Sequence, residues 1–214
     1  MGKLTIPCLA LVTDRRLCQT LSLEEAVAQA VEGGANLVQL REKDLPPAEL
    51  LALAEKLRAV TRGRALFLVN DRLDVALASA ADGVHLPERS LTVAAARRLA
   101  GEGFIIGRSV HSVAEAVRAQ EEGADYVQVG TIFASRSHPG QPVAGLGLLE
   151  AVAAAVSIPI LAVGGITSAN MGQAMTAGAS GAAVISAVLG APSPREAARA
   201  LAQAIAAVAA KARR

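Results

Sequence analysis

Short apolar runs rich in branched residues recur along the chain, and each run ends in polar residues. These runs are too short to form helices, and branched side chains favour buried strands. The segments between them carry apolar residues at helical spacing, as at Leu50, Leu53 and Leu57. The pattern predicts strands at 6–12, 36–40, 65–69, 83–86, 104–106, 126–130, 159–163 and 181–185. It predicts helices over 22–32, 47–60, 73–80, 92–100, 112–123, 146–156 and 169–177, and a last helix from 193 onward.

Capping signals mark several of these helix starts. A capping box at a helix N-terminus has a hydroxyl residue at the N-cap and an acid three residues later. Two such boxes are Ser22 with Glu25 and Ser112 with Glu115, and the last helix has Ser193, Pro194 and Glu196. The helix boundaries therefore agree with the apolar pattern.

The alternation of strand and helix predicts an α/β fold with a parallel sheet. A core made mostly of Ala, Val, Leu and Ile, with aromatics at only 2%, suits strands that are buried on both faces. A (β/α)8 barrel needs about 200–250 residues, and the chain has 214. We therefore predict a single (β/α)8 TIM barrel over residues 1–214. The alternative is a doubly wound open sheet, which usually has fewer strands.

Composition excludes several classes of function. A net charge of +2 and the scarcity of aromatics for base stacking argue against nucleic-acid binding. The two cysteines, Cys8 and Cys18, form neither a disulfide framework nor a zinc motif, which favours a reducing cytoplasm. No apolar run is long enough to span a membrane, and the N-terminus lacks a signal peptide. We expect a cytoplasmic protein without membrane contact; a homo-oligomer is compatible with the sequence, which does not specify the oligomeric state.

Polar residues at the end of the second predicted strand are the first candidate for binding chemistry. Gln39, Arg41 and Lys43 alternate there, so all three side chains point the same way, towards the barrel mouth. Two cations on one side suit a phosphate or pyrophosphate. The alternative is a salt-bridged rim with Glu42 and Asp44.

Further candidates follow the third, fourth, seventh and eighth strands. Asn70 and Asp71 follow the third, where Asp71 would either hold Mg²⁺ or cap the next helix. His85 ends the fourth strand and would either face the site or pack as a polar residue. The remaining candidates, Gly164 with Gly165 and Ile185 with Ser186, follow the last two strands. Barrels of this kind often bind phosphate there, and the alternative for the glycines is a turn that needs positive φ.

Acid–base chemistry points to the exit of the fifth strand. Histidine is the side chain most often used for acid–base catalysis, and His111, with Ser109 beside it, is the catalytic candidate. The alternative is a histidine that only hydrogen-bonds the start of the next helix. After the sixth strand, Ser135, Ser137 and His138 lie in a loop that would either cover a substrate or be an idle surface loop.

Taken together, these segments resemble the thiamin phosphate synthase and thiazole tautomerase family over nearly the whole chain. The matching motifs are VQLREKD (38–44), LVNDRLDVAL (68–77), ADGVHL (81–86), GRSVHS (107–112), GADYVQVGTIF (123–133) and ILAVGGIT (160–167). The resemblance implies a (β/α)8 barrel that binds a phosphorylated thiazole. In the synthase it also implies a pyrimidine diphosphate with Mg²⁺. Gln39, Arg41, Lys43, Asn70 and Asp71 match the synthase pattern.

Two departures from the synthase pattern favour the tautomerase branch. Ser90 stands where synthases place a second Mg²⁺-binding Asp, and His138 stands where they place a pyrophosphate lysine. In the tautomerase branch the histidine that matches His111 is the proposed proton shuttle, and no cofactor is required. We therefore favour an aromatising proton shift on a thiazole carboxylate phosphate. The alternatives are a Mg²⁺-dependent thiamin phosphate synthase and a non-catalytic regulatory barrel that binds the same ligand.

Overall fold

Eight parallel strands close into a barrel in chain order, with β8 hydrogen-bonded to β1. The computed structural model describes residues 4–134 and 143–211. The strands are β1 Cys8–Val12, β2 Leu37–Leu40, β3 Leu66–Asn70, β4 Gly83–Leu86, β5 Ile105–Val110, β6 Tyr126–Val129, β7 Ile160–Val163 and β8 Gly181–Val184. The predicted (β/α)8 barrel is confirmed, and the open sheet is wrong because no edge strand remains in the closed sheet.

The helices surround the barrel and connect consecutive strands. They are α1 Leu23–Glu32, α2 Pro47–Thr61, α3 Leu73–Ala78, α4 Val93–Ala100, α5 Val113–Glu121, α6 Gly145–Ala155, α7 Met171–Thr176, α8 Ser186–Leu189 and α9 Pro194–Lys211, with a 3-10 helix at Arg15–Leu17. The 3-10 helix and α8 were not predicted, because a single turn is too short to show helical periodicity. None of the helices in the described part of the chain is both long and apolar enough to cross a membrane.

The fifth strand extends beyond the apolar run that predicted it. Its backbone pairing continues through Arg108 and Ser109, which are in register with residues of β4 and β6. An apolar run alone therefore located the strand but not its end, because the last residues of the strand face a polar cavity.

The two predicted capping boxes differ in the structure. At α1 the box is complete: the Ser22 hydroxyl accepts the backbone N–H of Glu25, and the Glu25 carboxylate accepts the backbone N–H of Ser22. At α5 the Ser112 hydroxyl accepts the Glu115 N–H at 3.3 Å, but the Glu115 carboxylate accepts the N–H of His111 at 2.6 Å. The second box is therefore only half formed, and its acid fixes the backbone of His111 instead.

Two hydrophobic cores hold the fold together. The larger lies between the barrel and the helices. The smaller fills the interior of the barrel and includes Cys8, Leu37, Leu68, Tyr126 and Leu161. Burial raises the pKa of the Cys8 thiol to about 12, so this cysteine is a packing residue. The apolar interior closes the lower part of the barrel and leaves a polar cavity at the carboxyl ends of the strands.

Candidate functional site

A cavity of about 700 Å³ opens at the carboxyl ends of the barrel strands. It brings together most of the residues that the sequence singled out: Gln39, Arg41, Lys43, Asn70, Asp71, His85, Ser109, His111, Gly164, Gly165, Ile185 and Ser186. The predicted binding residues Ser135, Ser137 and His138 lie outside the described residues. The common position after strands therefore identified one mouth, as is typical of this architecture.

Side-chain amides form the inner wall of the cavity. The Gln39 amide nitrogen donates to the Asn70 side-chain oxygen at 3.2 Å, and the Gln128 amide nitrogen donates to the Gln39 oxygen at 2.9 Å. Gln39 is only 2% exposed, so these two hydrogen bonds set the orientation of its side-chain amide towards a ligand. Sequence analysis missed Gln128, although a lone polar residue between Tyr126 and Gly130 on an apolar strand was an available signal.

His85 is buried beside Tyr126 and Ser109. Its Nδ1 lies 3.0 Å from the Tyr126 hydroxyl, and its Nε2 lies 2.8 Å from the Ser109 hydroxyl. Burial lowers the pKa of His85 to about 3, with further lowering by the charges on Arg108 and Arg41. His85 is therefore a neutral, packed residue whose polar atoms are all engaged, as one of the two sequence alternatives stated.

His111 presents a defined nitrogen to the cavity. Its Nδ1–H donates to the Gly130 carbonyl at 2.7 Å, which leaves Nε2 as the nitrogen without a proton in the neutral ring. The ring does not bond the start of α5, because only the backbone N–H of His111 reaches Glu115. The alternative of a helix-bonding ring is therefore wrong, and Nε2 can accept a proton.

Arg41 and Lys43 do not form the salt-bridged rim that was the alternative at this strand end. Glu42 instead accepts the Thr13 hydroxyl at 2.7 Å and the Arg15 guanidinium at 2.9 Å, and Asp44 also binds Arg15. Within residues 4–134 and 143–211, neither Arg41 nor Lys43 has an ion-pair partner. The pKa of Lys43 is lowered, first by the charge on Arg41 and then by burial, and burial lowers the pKa of Arg41. An anion would relieve this repulsion.

Asp71 is not the helix cap that was its alternative role. The residue at the cap position of α3 is Arg72, and no side-chain cap bond is made there. Asp71 has φ 66°, a left-handed conformation that is uncommon outside glycine and concentrates at functional sites. The carboxylate lines the cavity close enough to Lys43 to favour the charged lysine.

The donor set fits a Mg²⁺ ion that arrives with phosphates, and it does not fit a resident metal cage. In the described part of the chain, no three His, Cys, Asp or Glu residues are grouped to hold a metal. Mg²⁺ is usually held by one or two carboxylates together with substrate phosphates and water. Asp71, which lines the cavity, would be one such carboxylate.

The glycines after β7 adopt a backbone that other residues would strain. Gly164 and Gly165 have φ of 97° and 62°, and a Cβ on Gly165 would lie 2.4 Å from the Ala134 carbonyl oxygen. The neighbouring part of the cavity lining is Ile185 and Ser186, where α8 begins without a side-chain cap hydrogen bond. The first N–H groups of a helix have no partner within it. The positive φ that the turn alternative requires is therefore present at these glycines, and their position in the cavity wall beside the start of α8 is compatible with a small-anion site.

A further cation, Arg89, lies at the mouth and was not singled out from the sequence. It belongs to a turn in which the Ser90 N–H donates to the Pro87 carbonyl at 3.0 Å. The guanidinium of Arg108 donates to the carbonyls of Glu88 and Leu91 at 2.8 and 2.9 Å. The turn that carries Arg89 is thus tethered to β5.

A closed barrel with amides, cations, a carboxylate and a histidine around one mouth defines a (β/α)8-barrel enzyme. The family model described as thiamine monophosphate synthase matches residues 9–188. The chain therefore belongs to the thiamine monophosphate synthase family, as the sequence motifs indicated.

Individual relatives agree with the family match. A thiamine-phosphate synthase from Methanoculleus marisnigri is 48% identical over 96% of this chain and 98% of its own length. One from Roseiflexus castenholzii is 47% identical over 89% of this chain and 84% of its own length. The solved structure of a thiamine phosphate pyrophosphorylase from Pyrococcus furiosus has a TM-score of 0.86 at 40% identity, covering 94% of this chain and 96% of that one. Both sequence relatives and the family model carry the synthase name, so the comparisons favour the synthase alternative and give no support to the favoured tautomerase.

Proposed function

We propose that the protein is a thiamin phosphate synthase, which joins a hydroxymethylpyrimidine diphosphate to a thiazole phosphate. The reaction forms a bond between the thiazole nitrogen and the pyrimidine methylene carbon. The carbon–oxygen bond to the diphosphate breaks, and pyrophosphate leaves with the electron pair. Two phosphorylated substrates must therefore occupy one cavity.

The observation that carries this proposal is the presence of candidate anion sites on two sides of the cavity. Arg41, Lys43 and Asp71 follow β2 and β3, whereas Gly164 and Gly165 follow β7. In a ring of eight strands in chain order, β3 and β7 are four strands apart and face each other. A synthase would place a diphosphate on one side and a phosphate on the other, whereas the tautomerase substrate would bring one phosphate and one carboxylate.

The cationic side suits the diphosphate. Arg41 and Lys43 would neutralise the charge that develops on the leaving pyrophosphate, which is where such stabilisation lowers a barrier. When Mg²⁺ is bound, it adds positive charge to the same oxygens, and Asp71 would be its protein ligand. Arg89 adds a third positive charge at the mouth. Ser90 stands where a second Mg²⁺-binding carboxylate was expected, and the charge of Arg89 would replace part of the positive charge that this Mg²⁺ would have supplied.

The opposite side suits the single phosphate of the thiazole. Backbone N–H groups at Gly164 and Gly165, and at the start of α8 with Ile185 and Ser186, would receive its oxygens. Gln39, Asn70 and Ser109 line the same cavity and would contact the rings. Ser135, Ser137 and His138 stay predictions as a covering loop.

The tautomerase has one specific observation in its favour. The unprotonated Nε2 of His111 could take a proton from a dihydrothiazole carbon and return it to the exocyclic carbon. A proton shift develops no pyrophosphate charge at the cations near Asp71, which would face only the substrate carboxylate, so we rank it second.

The test offers the purified protein both substrate sets, with and without Mg²⁺. We expect thiamin phosphate and pyrophosphate in equal amounts with Mg²⁺, and a loss of about a hundredfold or more in kcat/KM for Lys43→Ala. Lys56→Ala, on the outer surface of α2, is the matched control and should retain full activity. Aromatisation of the thiazole without coupling would establish the tautomerase instead. Tight binding without turnover of either set would establish a regulatory barrel.

A further inference from the structure

Three neighbouring strands bring His85, Gly107 and Tyr126 into one row across the barrel. His85 pairs with Gly107 in the sheet, and Gly107 pairs with Tyr126. A Cβ on Gly107 would lie 2.1 Å from Cζ of Tyr126, so the phenol ring occupies the space that a side chain would fill. The phenol hydroxyl thereby reaches His85 Nδ1, and Ser109, two residues after Gly107, reaches Nε2.

The protons in this row can be assigned by counting donors and acceptors. Tyr126 is fully buried, and its hydroxyl must donate its hydrogen to some acceptor. In the described part of the chain, the acceptor in reach is His85 Nδ1. Nδ1 therefore carries no proton, and the proton of the neutral ring is on Nε2. The opposite tautomer would leave a buried phenol hydrogen unsatisfied, at a cost of about 1–3 kcal/mol.

Two other observations agree with this assignment. Burial is the main cause that raises the pKa of Tyr126 well above its ordinary value, so the phenol oxygen keeps its hydrogen. That oxygen then has its own hydrogen left for His85. Burial, Arg108 and Arg41 lower the pKa of His85 to about 3, so the ring is neutral at neutral pH.

We propose that Tyr126 and His85 fix the polarity of the Ser109 hydroxyl, so that Ser109 donates its hydrogen bond into the cavity. Because Nε2–H donates to the Ser109 oxygen, the serine hydrogen is free to point elsewhere, and Ser109 lines the cavity. Its partner must be an acceptor, such as an unprotonated ring nitrogen. This deepens the proposed function, since an aminopyrimidine substrate carries such nitrogens. His85 and Tyr126 are positioning residues, because they act through Ser109.

The tautomer can be measured directly in the ligand-free protein. The chain has only three histidines, so nitrogen NMR of protein labelled with 15N-histidine gives few signals, and His85→Gln identifies those of His85. We expect a protonated Nε2 and an unprotonated Nδ1. A protonated Nδ1 would overturn the proposal. The result does not depend on turnover, so it is separable from a failure of the proposed synthase activity.

Variants test whether the row acts through Ser109. His85→Leu should weaken binding of the hydroxymethylpyrimidine diphosphate about tenfold. His85→Gln, whose amide can still donate to Ser109, should restore most of that loss. In the background of Ser109→Ala, His85→Leu should have almost no further effect, because both changes remove the same hydrogen bond. Additive effects of the two changes, or no rescue by glutamine in folded protein, would contradict the proposal.

Discussion

Arg41 and Lys43 meet at the cavity mouth without a counter-ion in the described part of the chain, and the charge on Arg41 is the main cause of the lowered pKa of Lys43. This pKa is lowered from the ordinary lysine value of 10.5, so Lys43 loses its proton at a lower pH than an ordinary lysine does. A bound anion favours the charged form and raises this pKa. Binding therefore takes up a proton when the pH is near the lowered value.

We predict that pyrophosphate binding by Lys43 is linked to proton uptake. Calorimetry at a series of alkaline pH values, in two buffers of different ionisation heat, should show proton uptake on binding that grows as the pH approaches the lowered pKa of Lys43, and affinity should fall as the pH rises further. Lys43→Arg is the matched control, because arginine keeps the charge but does not titrate in this range. A binding heat that is the same in both buffers for the unaltered protein would exclude this role for Lys43.

At the residue scale, sequence analysis identified side chains that follow a strand and share a direction. It found Arg41 and Lys43 by extending the period-two alternation from Gln39, although β2 ends at Leu40 and both cations lie just beyond it. It could not tell that Glu42 and Asp44 pair with Arg15, because that arginine comes from the connection after β1. Gln128 was overlooked for a related reason, since its importance lies in a hydrogen bond to Gln39 on a distant strand.

At the scale of elements, Glu42 joins the connection after β1 to the end of β2. It accepts hydrogen bonds from Thr13 and Arg15, and the Thr13 hydroxyl in turn accepts the backbone N–H of Arg41 at 2.9 Å. The Glu42 side chain is 2% exposed, whereas that of Asp44, the other carboxylate on Arg15, is 54% exposed. One guanidinium therefore binds a buried acid and an exposed one.

This difference predicts unequal costs for two similar substitutions. Glu42→Gln should lower the free energy of unfolding by about 1–3 kcal/mol, because it weakens a buried network around a charge. Asp44→Asn should cost less than about 1 kcal/mol, as is usual for exposed ion pairs. Urea denaturation of both variants measures the two values. Equal losses would show that burial of Glu42 does not govern the strength of this contact.

Elements were predicted well where a long periodic pattern existed and less well where a tertiary contact ends a segment. The bounds of β4 agree fully with the apolar pattern. For β5 the pattern gave only the start, because pairing with β6 continues into polar residues. The acid of the second capping box bonds His111 rather than Ser112. Which of two adjacent N–H groups the acid accepts depends on the backbone conformation between the end of the strand and the start of the helix.

At the scale of the whole molecule, the number of strand–helix units and the chain length were sufficient to predict a closed barrel. The placement of the site at one mouth followed from the architecture. The choice between synthase and tautomerase did not follow from the architecture. It depends on which substrate groups the cations after β2 and the glycines after β7 bind, on opposite sides of the cavity. Two substitutions, at Ser90 and His138, were given more weight than the unpaired cations that remain around Asp71.

The buried histidine also affects the stability of the whole barrel. His85 has a pKa of about 3 in the folded protein and close to 6.5 when unfolded. Between these values the unfolded chain binds more protons than the folded one, so stability falls as the pH is lowered from about 6.5 towards 3. A single such group contributes up to about 1.4 kcal/mol per pH unit. Carboxylates that titrate in the same range add their own slope, so the test must isolate His85.

We predict that His85→Gln reduces the acid sensitivity of the fold by up to one proton. Free energies of unfolding from urea titrations at about pH 7, 6, 5 and 4 should decline less steeply for this variant than for the unaltered protein. The two curves should converge on acidification, because only the unaltered chain has to discharge a histidine in order to fold. Ser109→Ala, which keeps His85 and removes one of its partners, should retain most of the original slope. Parallel curves for His85→Gln and the unaltered protein would mean that His85 becomes protonated within the folded barrel, and the neutral relay to Ser109 could not persist at low pH.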